Sequence, residues 1–383
     1  MPLNSNDERY MARALQLARE GVGLASPNPC VGAIVVDAHG DIIGRGTHTY
    51  AGLKHAEVLA LEQAGAEARG ATLYLNLEPC CHEGRTGPCA DSVIAAGVRR
   101  VVVSMADPNP LVSGHGFERL RAAGIEVTTG VGEQEARKLN EAFACYIRTR
   151  RPLVTLKSAM TLDGKIAARN TTSLSDPGIG GSVTWITGEE ARAHVQQLRH
   201  ASDVILVGVG TVVADDPRLT DRTGLPRRRP LLRVILDSRL RIPLDSGIVQ
   251  TANSDVLVFF TSAESERKKT LEMRGVCLEQ VKPDATGRPD FTEVIARLGQ
   301  MEMTSVLIEG GAAVNGAALT SGVVDKVFFY YAPHILGDNA VPVVAGTGWQ
   351  SASPAAQVKS ITLHRFGEDF AVEGYIRDPY ADL

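Results

Sequence analysis

One imidazole, a carboxylate two residues on, and two thiols further along form the most reactive pattern in the chain: His55-Ala56-Glu57, then Pro79-Cys80, then Cys89. Imidazole nitrogen and thiolate sulfur both bind zinc, so His55, Cys80 and Cys89 read as a three-ligand site. A structural zinc is normally closed by four protein ligands, whereas a catalytic zinc keeps one position open. The trio therefore predicts a catalytic zinc, which lowers the pKa of its water to about 7. Such water can attack a carbon that bears an amino group. Glu57 stands where a carboxylate can move protons beside the metal without binding it.

Other thiols and imidazoles compete for the ligand role. Cys81 and His82 are near enough in sequence to close the site, but Pro79 fixes the approach of Cys80, so Cys81 is the less expected ligand. His82 is expected to meet substrate or solvent. Cys30, Cys145 and Cys277 read as small core residues. Six scattered and clustered cysteines suit metal binding in a reducing compartment better than a disulfide framework.

The ligands fall at the boundaries of predicted elements. Ser5-Asn6-Asp7 caps a helix running to about Gly21, and Ser26-Pro27-Asn28-Pro29 is a rigid loop. A hairpin follows, turning at His39-Gly40. His55 and Glu57 open a helix, an apolar strand delivers Pro79-Cys80, and Cys89 opens a second helix closed by Gly97. Strands over 100–104 and 125–128 enclose a helix, and one last helix spans 134–146. Alternating strands and helices predict a three-layer α/β domain with the ligands at strand ends and helix starts.

Bulk composition narrows the function classes. The chain has 383 residues, enough for two domains. A net charge of −4 provides no basic field for nucleic acid. Arg227-Arg228-Arg229 sits between prolines and reads as a solvated loop. No apolar run approaches a membrane span, and the first residues form no signal-peptide core, so the expected compartment is the cytoplasm.

The run Glu78-Pro79-Cys80-Cys81-His82-Glu83-Gly84-Arg85-Thr86-Gly87-Pro88-Cys89, behind His55-Ala56-Glu57, resembles the deaminase domain of the bifunctional riboflavin-biosynthesis deaminase/reductases. Eight residues between the cysteines, where other zinc deaminases usually have two, carry the likeness. Ser26-Pro27-Asn28-Pro29, Gly46-x-His48 and Asp107-Pro108-Asn109-Pro110 match as well. Gly87 replaces a usual proline and Cys81 a frequent serine. The resemblance implies a cytidine-deaminase-like fold and a pyrimidinone substrate carrying ribose 5-phosphate. Asn28 would bind base or ribose, and His48, His82 and Arg85 would face phosphate or sugar.

Arg148 to Pro152 is a charged junction, which gives domains over 1–147 and 153–383 with a linker at 148–152. In the second half, strands alternate with helices again. Thr187 and Glu190 form a capping box. Residues 170–182 read as a mobile loop. Gly208-Val209-Gly210 follows a strand, but Val213 occupies the third glycine position and Asp215-Asp216-Pro217 cuts the helix short, which excludes a Rossmann fingerprint. Glu309-Gly310-Gly311 ends a buried strand before a small-residue helix, a start suited to anions. Strands close the chain over 360–377.

These pieces, with Lys157-x3-Thr161-Leu162-Asp163-Gly164-Lys165, Trp185-Ile186-Thr187 and Leu236-Asp237-Ser238, resemble the reductase domain of the same family, a dihydrofolate-reductase-like α/β fold. The resemblance implies NADPH contacts at Met160, Trp185, Thr211, Asp215, Ser238, Gly311, Ala312, Ala313, Val314, Asn315 and Gly316. It implies substrate contacts at Val183, Arg199, Leu219, Arg222 and Glu309. A homo-oligomer is expected. Lys157, Asp163 and Lys165 are expected to orient the sugar or supply a proton, and Arg199 and Arg222 to clamp phosphate. The expected enzyme uses Zn2+ to deaminate a diamino-(phosphoribosylamino)pyrimidinone, then NADPH to reduce the product's ribosyl group. Its partners are small phosphoribosyl-pyrimidines, with neither nucleic acid nor membrane. The competing readings are a nucleoside or RNA zinc deaminase with a non-catalytic nucleotide-binding second domain, and a nucleotide-binding protein with a closed, structural zinc.

Overall fold

The structure is a computed structural model and describes residues 5–50, 54–81, 88–168, 185–346 and 356–381. Two compact units divide the chain: one runs to Arg150 and takes in Pro226–Arg229, and the other comprises Arg151–Leu225 and Pro230–Ala381.

The first unit has a five-stranded sheet in the order Ile42–Thr47, Gly32–Val36, Thr72–Leu77, Arg100–Met105, Glu126–Thr129. Gly32–Val36 is antiparallel to both neighbours, and the last three strands run parallel. Glycines let helices lie on both faces of the hairpin. A Cβ on Gly32 would stand 2.2 Å from the Ala14 carbonyl of helix Ser5–Arg19. On the neighbouring pair Ala33↔Gly46, which points to the opposite face, a Cβ on Gly46 would stand 2.0 Å from the Ala56 carbonyl. Helix Ala56–Ala64 lies there, and the result is a helix–sheet–helix sandwich.

Helix Ser5–Arg19 buries Tyr10, Met11, Ala14, Leu15 and Ala18 at helical spacing. Asp7, expected in its cap, instead receives Arg100 in a bidentate ion pair and the Tyr74 hydroxyl. The single helix expected over 134–146 is two, Glu133–Leu139 and Glu141–Thr149. Asn140 separates them because its side-chain amide accepts from Cys30 N at 2.8 Å and donates to Cys30 O at 3.1 Å. Arg227-Arg228-Arg229, expected to be solvated, is half-buried, with the Arg228 guanidinium 4.2 Å from the Tyr50 ring centroid.

The second unit has a nine-stranded sheet in the order Val276–Gln280, Val256–Phe260, Leu232–Leu236, Val204–Gly208, Ser305–Ile308, Leu153–Thr161, Lys326–Ala332, Asp369–Tyr375, Lys359–Phe366. The strands are parallel as far as Lys326–Ala332, and the last two are antiparallel. Runs such as Val204-Ile205-Leu206-Val207 are buried on both faces, as a parallel sheet covered by helices requires. Val204, Leu206, Val306 and Ile308 pack with Val294 and Leu298 of helix Phe291–Gln300, whereas Ile205, Val207 and Ile235 pack with Ile248 and Leu271. The expected Thr187 capping box does not form. Gly188 is the cap of helix Glu189–Ala201, and its N–H is taken by Asp369 at 2.7 Å. Cys277, expected in the core, is exposed because strand alternation turns Val276 inward.

The Gly46→Ala variant is expected to lose about 1–3 kcal/mol of first-unit stability, since its methyl must push helix Ala56–Ala64 off the strand. Denaturant unfolding followed by circular dichroism measures it, and an unchanged midpoint would refute the close packing.

Candidate active sites

His55 occupies the N-cap of helix Ala56–Ala64, and Cys89 is the first residue of helix Cys89–Ala96. Cys80 follows strand Thr72–Leu77. Three separate elements thus place His55 Nδ1 2.8 Å from Cys89 Sγ and 3.7 Å from Cys80 Sγ. The three ligand atoms lie within 4.8 Å of one another, which suits a metal bound between them. The Cys89 N–H points at Cys80 Sγ at 3.4 Å, and Ala90 N donates to the Cys80 carbonyl, so the start of that helix is seated on Cys80.

Protonation follows from this crowding. The Cys80 thiol is pulled down to about 4, by its hydrogen bond with Cys89 first and then by His55. Cys89 is driven up, by that same Cys80 hydrogen bond and by burial. His55 is raised, chiefly through its hydrogen bond with Cys80. Cys80 is thus the thiol that favours the thiolate form, and a divalent metal bound here would displace the protons shared by the three groups. Glu57, 3% exposed in the first turn of its helix, has its carboxyl raised by burial. A buried carboxyl with a raised pKa beside a metal site is suited to proton transfer.

Asn28 reaches this site through His48. His48 is buried, with Nδ1 2.9 Å from the Lys54 carbonyl and Nε2 3.0 Å from Asn28 Nδ2. The carbonyl requires the proton on Nδ1, so Nε2 accepts from Asn28. Burial lowers the pKa of His48, consistent with a neutral ring. The ring lies edge-on to His55, centroids 5.1 Å apart. His48, expected to face phosphate or sugar, has both nitrogens engaged and instead orients Asn28. His82 and Arg85 lie outside the described residues. Cys81 is half-buried and borders an open surface depression with Leu111, His115, Glu118 and Arg119.

In the second unit, Met160, Thr211, Ser238, Glu309 and Gly311 lie at or just past the carboxyl ends of parallel strands, where open α/β sheets bind ligands. Glu309 follows Ser305–Ile308 and is clamped: Arg199 Nε lies 2.7 Å from Oε1, Arg199 Nη2 3.0 Å from Oε2, and Lys157 Nζ 3.4 Å from Oε2. Burial pushes Glu309 up, but Lys157 and Arg199 outweigh it and hold the carboxyl at about 2. Arg199 Nη1 also donates to Thr220 O at 3.1 Å, beside Leu219, which adopts φ of 53°. Arg199, expected as a phosphate clamp, spends these donors within the protein. Arg222 is exposed, with its backbone N–H on Gln196. Asp163, expected near the sugar, accepts from the Thr161 hydroxyl and from Leu336 and Gly337 N–H, and Thr161 above all holds it at about 2. It closes a loop. Lys165 begins the short strand Lys165–Ala167.

Gly311 caps helix Ala312–Thr320 without a side-chain hydrogen bond. Val314 of that helix fills the space that a Cβ on Gly208 or Gly310 would occupy, 2.6 and 2.5 Å away, so the helix start rests on two strand ends. Thr211, in helix Val209–Asp215, faces Gly311, and Asp215 closes that helix. Asn315 is fully buried: Nδ2 donates to Val343 O, and Oδ1 has no partner among the described residues. Gly316 admits the Ala345 carbonyl. Met160 is buried near the end of Leu153–Thr161, Ser238 follows Leu232–Leu236, and exposed Trp185 carries the Arg192 guanidinium 5.2 Å from its ring. Val183 lies outside the described residues. Missed by sequence reasoning were Asn76 and Asn140, buried amides that hold Cys30 after the Asn28 loop; no local signal marks them.

Residues 4–105 match the family described as "Cytidine and deoxycytidylate deaminase zinc-binding region", and residues 152–372 match "RibD C-terminal domain". The riboflavin biosynthesis protein RibD of Actinobacillus pleuropneumoniae is 40% identical over 386 residues, covering 99% of each chain. That of Escherichia coli K12 is 39% identical, covering 95% of this chain and 97% of the relative. Acinetobacter baumannii RibD has a similar solved structure, with TM-score 0.80, 36% identity, and coverage of 97% of this chain and 98% of that one. A Thermotoga maritima diaminohydroxyphosphoribosylaminopyrimidine deaminase/5-amino-6-(5-phosphoribosylamino)uracil reductase gives TM-score 0.78 and 37% identity over the same shares.

Metal analysis is expected to find zinc retained by Cys81→Ala and lost by Cys89→Ala; zinc lost on the Cys81 change would mean a closed, structural site. Zinc affinity should fall on acidification, because protons return to His55 and the thiolates. Competition titrations across pH measure this, and a flat profile would exclude His55 as a ligand.

Proposed function

The chain belongs to the RibD family of bifunctional deaminase/reductases of riboflavin biosynthesis, and from that premise we propose how its residues divide the two reactions. The enzyme deaminates 2,5-diamino-6-(5-phosphoribosylamino)pyrimidin-4-one and then reduces the ribosyl group of 5-amino-6-(5-phosphoribosylamino)uracil to ribityl. Residues 1–147 form the deaminase, 148–152 the linker and 153–383 the reductase. The convergence of His55, Cys80 and Cys89 beside buried Glu57 carries the reading.

The donor set of one imidazole and two thiols fits zinc. Zinc supplies Lewis acidity that makes water nucleophilic near neutral pH. Glu57 takes a proton from the attacking water and delivers it to the ring nitrogen next to the reacting carbon. It then carries a second proton to the departing amine, which leaves as ammonia. Burial favours this relay by raising the pKa of the carboxyl, which makes its protonated form easier to reach. Asn28, oriented by His48, holds the base or ribose. His82 and Arg85 meet the sugar phosphate.

Reduction begins from the open-chain form of the ribosylamine, whose C1′ accepts hydride. The uncapped helix start at Gly311, its glycine-lined approach and the orphan Asn315 Oδ1 fit a dinucleotide's phosphates and polar groups. NADPH would supply the hydride, and Met160, Trp185, Thr211, Asp215, Ser238 and the segment Gly311, Ala312, Ala313, Val314, Asn315 and Gly316 would hold it. Glu309, fixed by Arg199, holds Lys157 at the substrate side, where its ammonium can give a proton. Arg199, Leu219, Arg222 and Val183 border the substrate. Substrates are small phosphoribosyl-pyrimidines. Among the described residues no helix is long and apolar enough to cross a membrane. The composition supports a cytoplasmic enzyme, which we take to be a homo-oligomer.

A coupled assay following ammonia and NADPH together tests the division. Glu57→Gln is expected to slow ammonia release by about 10²–10⁴-fold, while keeping zinc and oxidising NADPH normally with the deaminated product. Full ammonia release would remove the proton relay, and no NADPH oxidation by the unmodified enzyme would remove the reductase assignment.

A further inference from the structure

Glu78 is 3% exposed and stands two residues before Cys80. Its carboxylate accepts four backbone N–H groups. Oε2 receives Asp107 N at 3.1 Å and Gly114 N at 2.9 Å, and Oε1 receives Gly116 N at 2.9 Å and Phe117 N at 3.2 Å. An ionised carboxylate offers about four lone-pair sites, so main-chain donors saturate this one. The donors come from the turn after strand Arg100–Met105 and from the start of helix His115–Ala122. Glu78 N in turn donates to Met105 O at 3.1 Å. One buried carboxylate therefore joins its own strand end, the neighbouring strand end and a helix start, where its negative charge suits the helix dipole.

The residue between Glu78 and Cys80 is pinned as well. A Cβ on Gly116 would stand 2.2 Å from the Pro79 carbonyl, so the helix start presses directly on that peptide. The proline ring fixes φ. The position of Cys80 is thus set by Glu78 on one side of a stiff residue and by the helix Cys89–Ala96, seated on the Cys80 carbonyl, on the other.

We propose that Glu78 is a positioning residue for the zinc thiolate of Cys80: its saturated carboxylate clamps helix His115–Ala122 against Pro79 and holds Cys80 Sγ within reach of His55 and Cys89. The inference rests on the zinc assignment made above. Its test uses the full chain with Glu78→Gln, whose amide must turn donors toward N–H groups that need acceptors. Zinc transfer to a chelator, the visible spectrum of the cobalt-substituted protein, and NADPH oxidation with the deaminated product are measured together. The variant is expected to lose about 10–100-fold in zinc affinity and to shift the cobalt bands, with NADPH oxidation unchanged. Glu78→Asp, which keeps the acceptors on a shorter stem, should fall between.

Wild-type zinc transfer and cobalt spectrum in Glu78→Gln would overturn the inference. An unmodified enzyme that binds neither zinc nor cobalt would instead overturn the zinc assignment, and the inference with it. Should Glu78→Gln not fold, Gly116→Ala, which pushes the same helix off Pro79, is expected to weaken zinc equally, and wild-type zinc binding there would overturn the clamp.

Discussion

The contact between helix Ala56–Ala64 and the backbone of strand Ile42–Thr47 is the constraint on which the deaminase site depends. Gly44 and Gly46 offer no Cβ, so the Ala56 and Ala60 carbonyls sit where side chains would otherwise stand. That approach sets the height of the helix above the sheet, and therefore of His55 at its cap and Glu57 in its first turn. Moving the helix by a methyl's width would carry the imidazole away from both thiols. Gly46 stands two residues before His48, whose ring orients Asn28, so the strand that supports the helix also leads into the substrate loop.

Buried polar groups then do what apolar packing cannot: they fix directions. Asn76 and Asn140 hold Cys30 and Gly32 just past the Asn28 loop, and Glu78 gathers four N–H groups behind Cys80. A buried amide or carboxylate is costly when unpaired, which makes its geometry specific when paired. In the second unit Glu309 plays a comparable part. It pairs with both Lys157 and Arg199 at the strand ends, where all three side chains are largely buried. The two reaction centres share a design rule, with reactive groups at strand ends and helix starts and oriented by buried hydrogen bonds.

Much of the site was legible from residue types and spacing. His55, Glu57, Cys80 and Cys89 announce zinc chemistry because few other roles need an imidazole, a carboxylate and two thiols in that order. Alternating strands and helices in the second unit were legible from apolar runs, and the strand end at Glu309-Gly310-Gly311 from its two glycines before a small-residue helix. What escaped reading has distant causes. The break at Asn140 exists because its amide serves Cys30, which lies 110 residues earlier. The helix cap is Gly188 instead of Thr187, and the Gly188 N–H is held by Asp369, 181 residues further on. Cys277 was placed in the core by its type, but its strand alternation turns it outward.

By itself, the sequence determined which residue types are available for chemistry: the imidazole and thiols able to hold zinc, a carboxylate beside them, the glycines that admit helices, and the order of strands and helices. Those are properties of single residues and short windows. Only the tertiary structure decided which polar groups were already committed. It turned His48 from a phosphate contact into the support of Asn28, drew Arg199 onto Glu309, closed Asp163 into a loop, and made Glu78 the anchor behind Cys80. The reason is physical: a side chain's role depends on which partner reaches it first in space, and hydrogen-bond partners far apart in the chain leave no periodic trace in it.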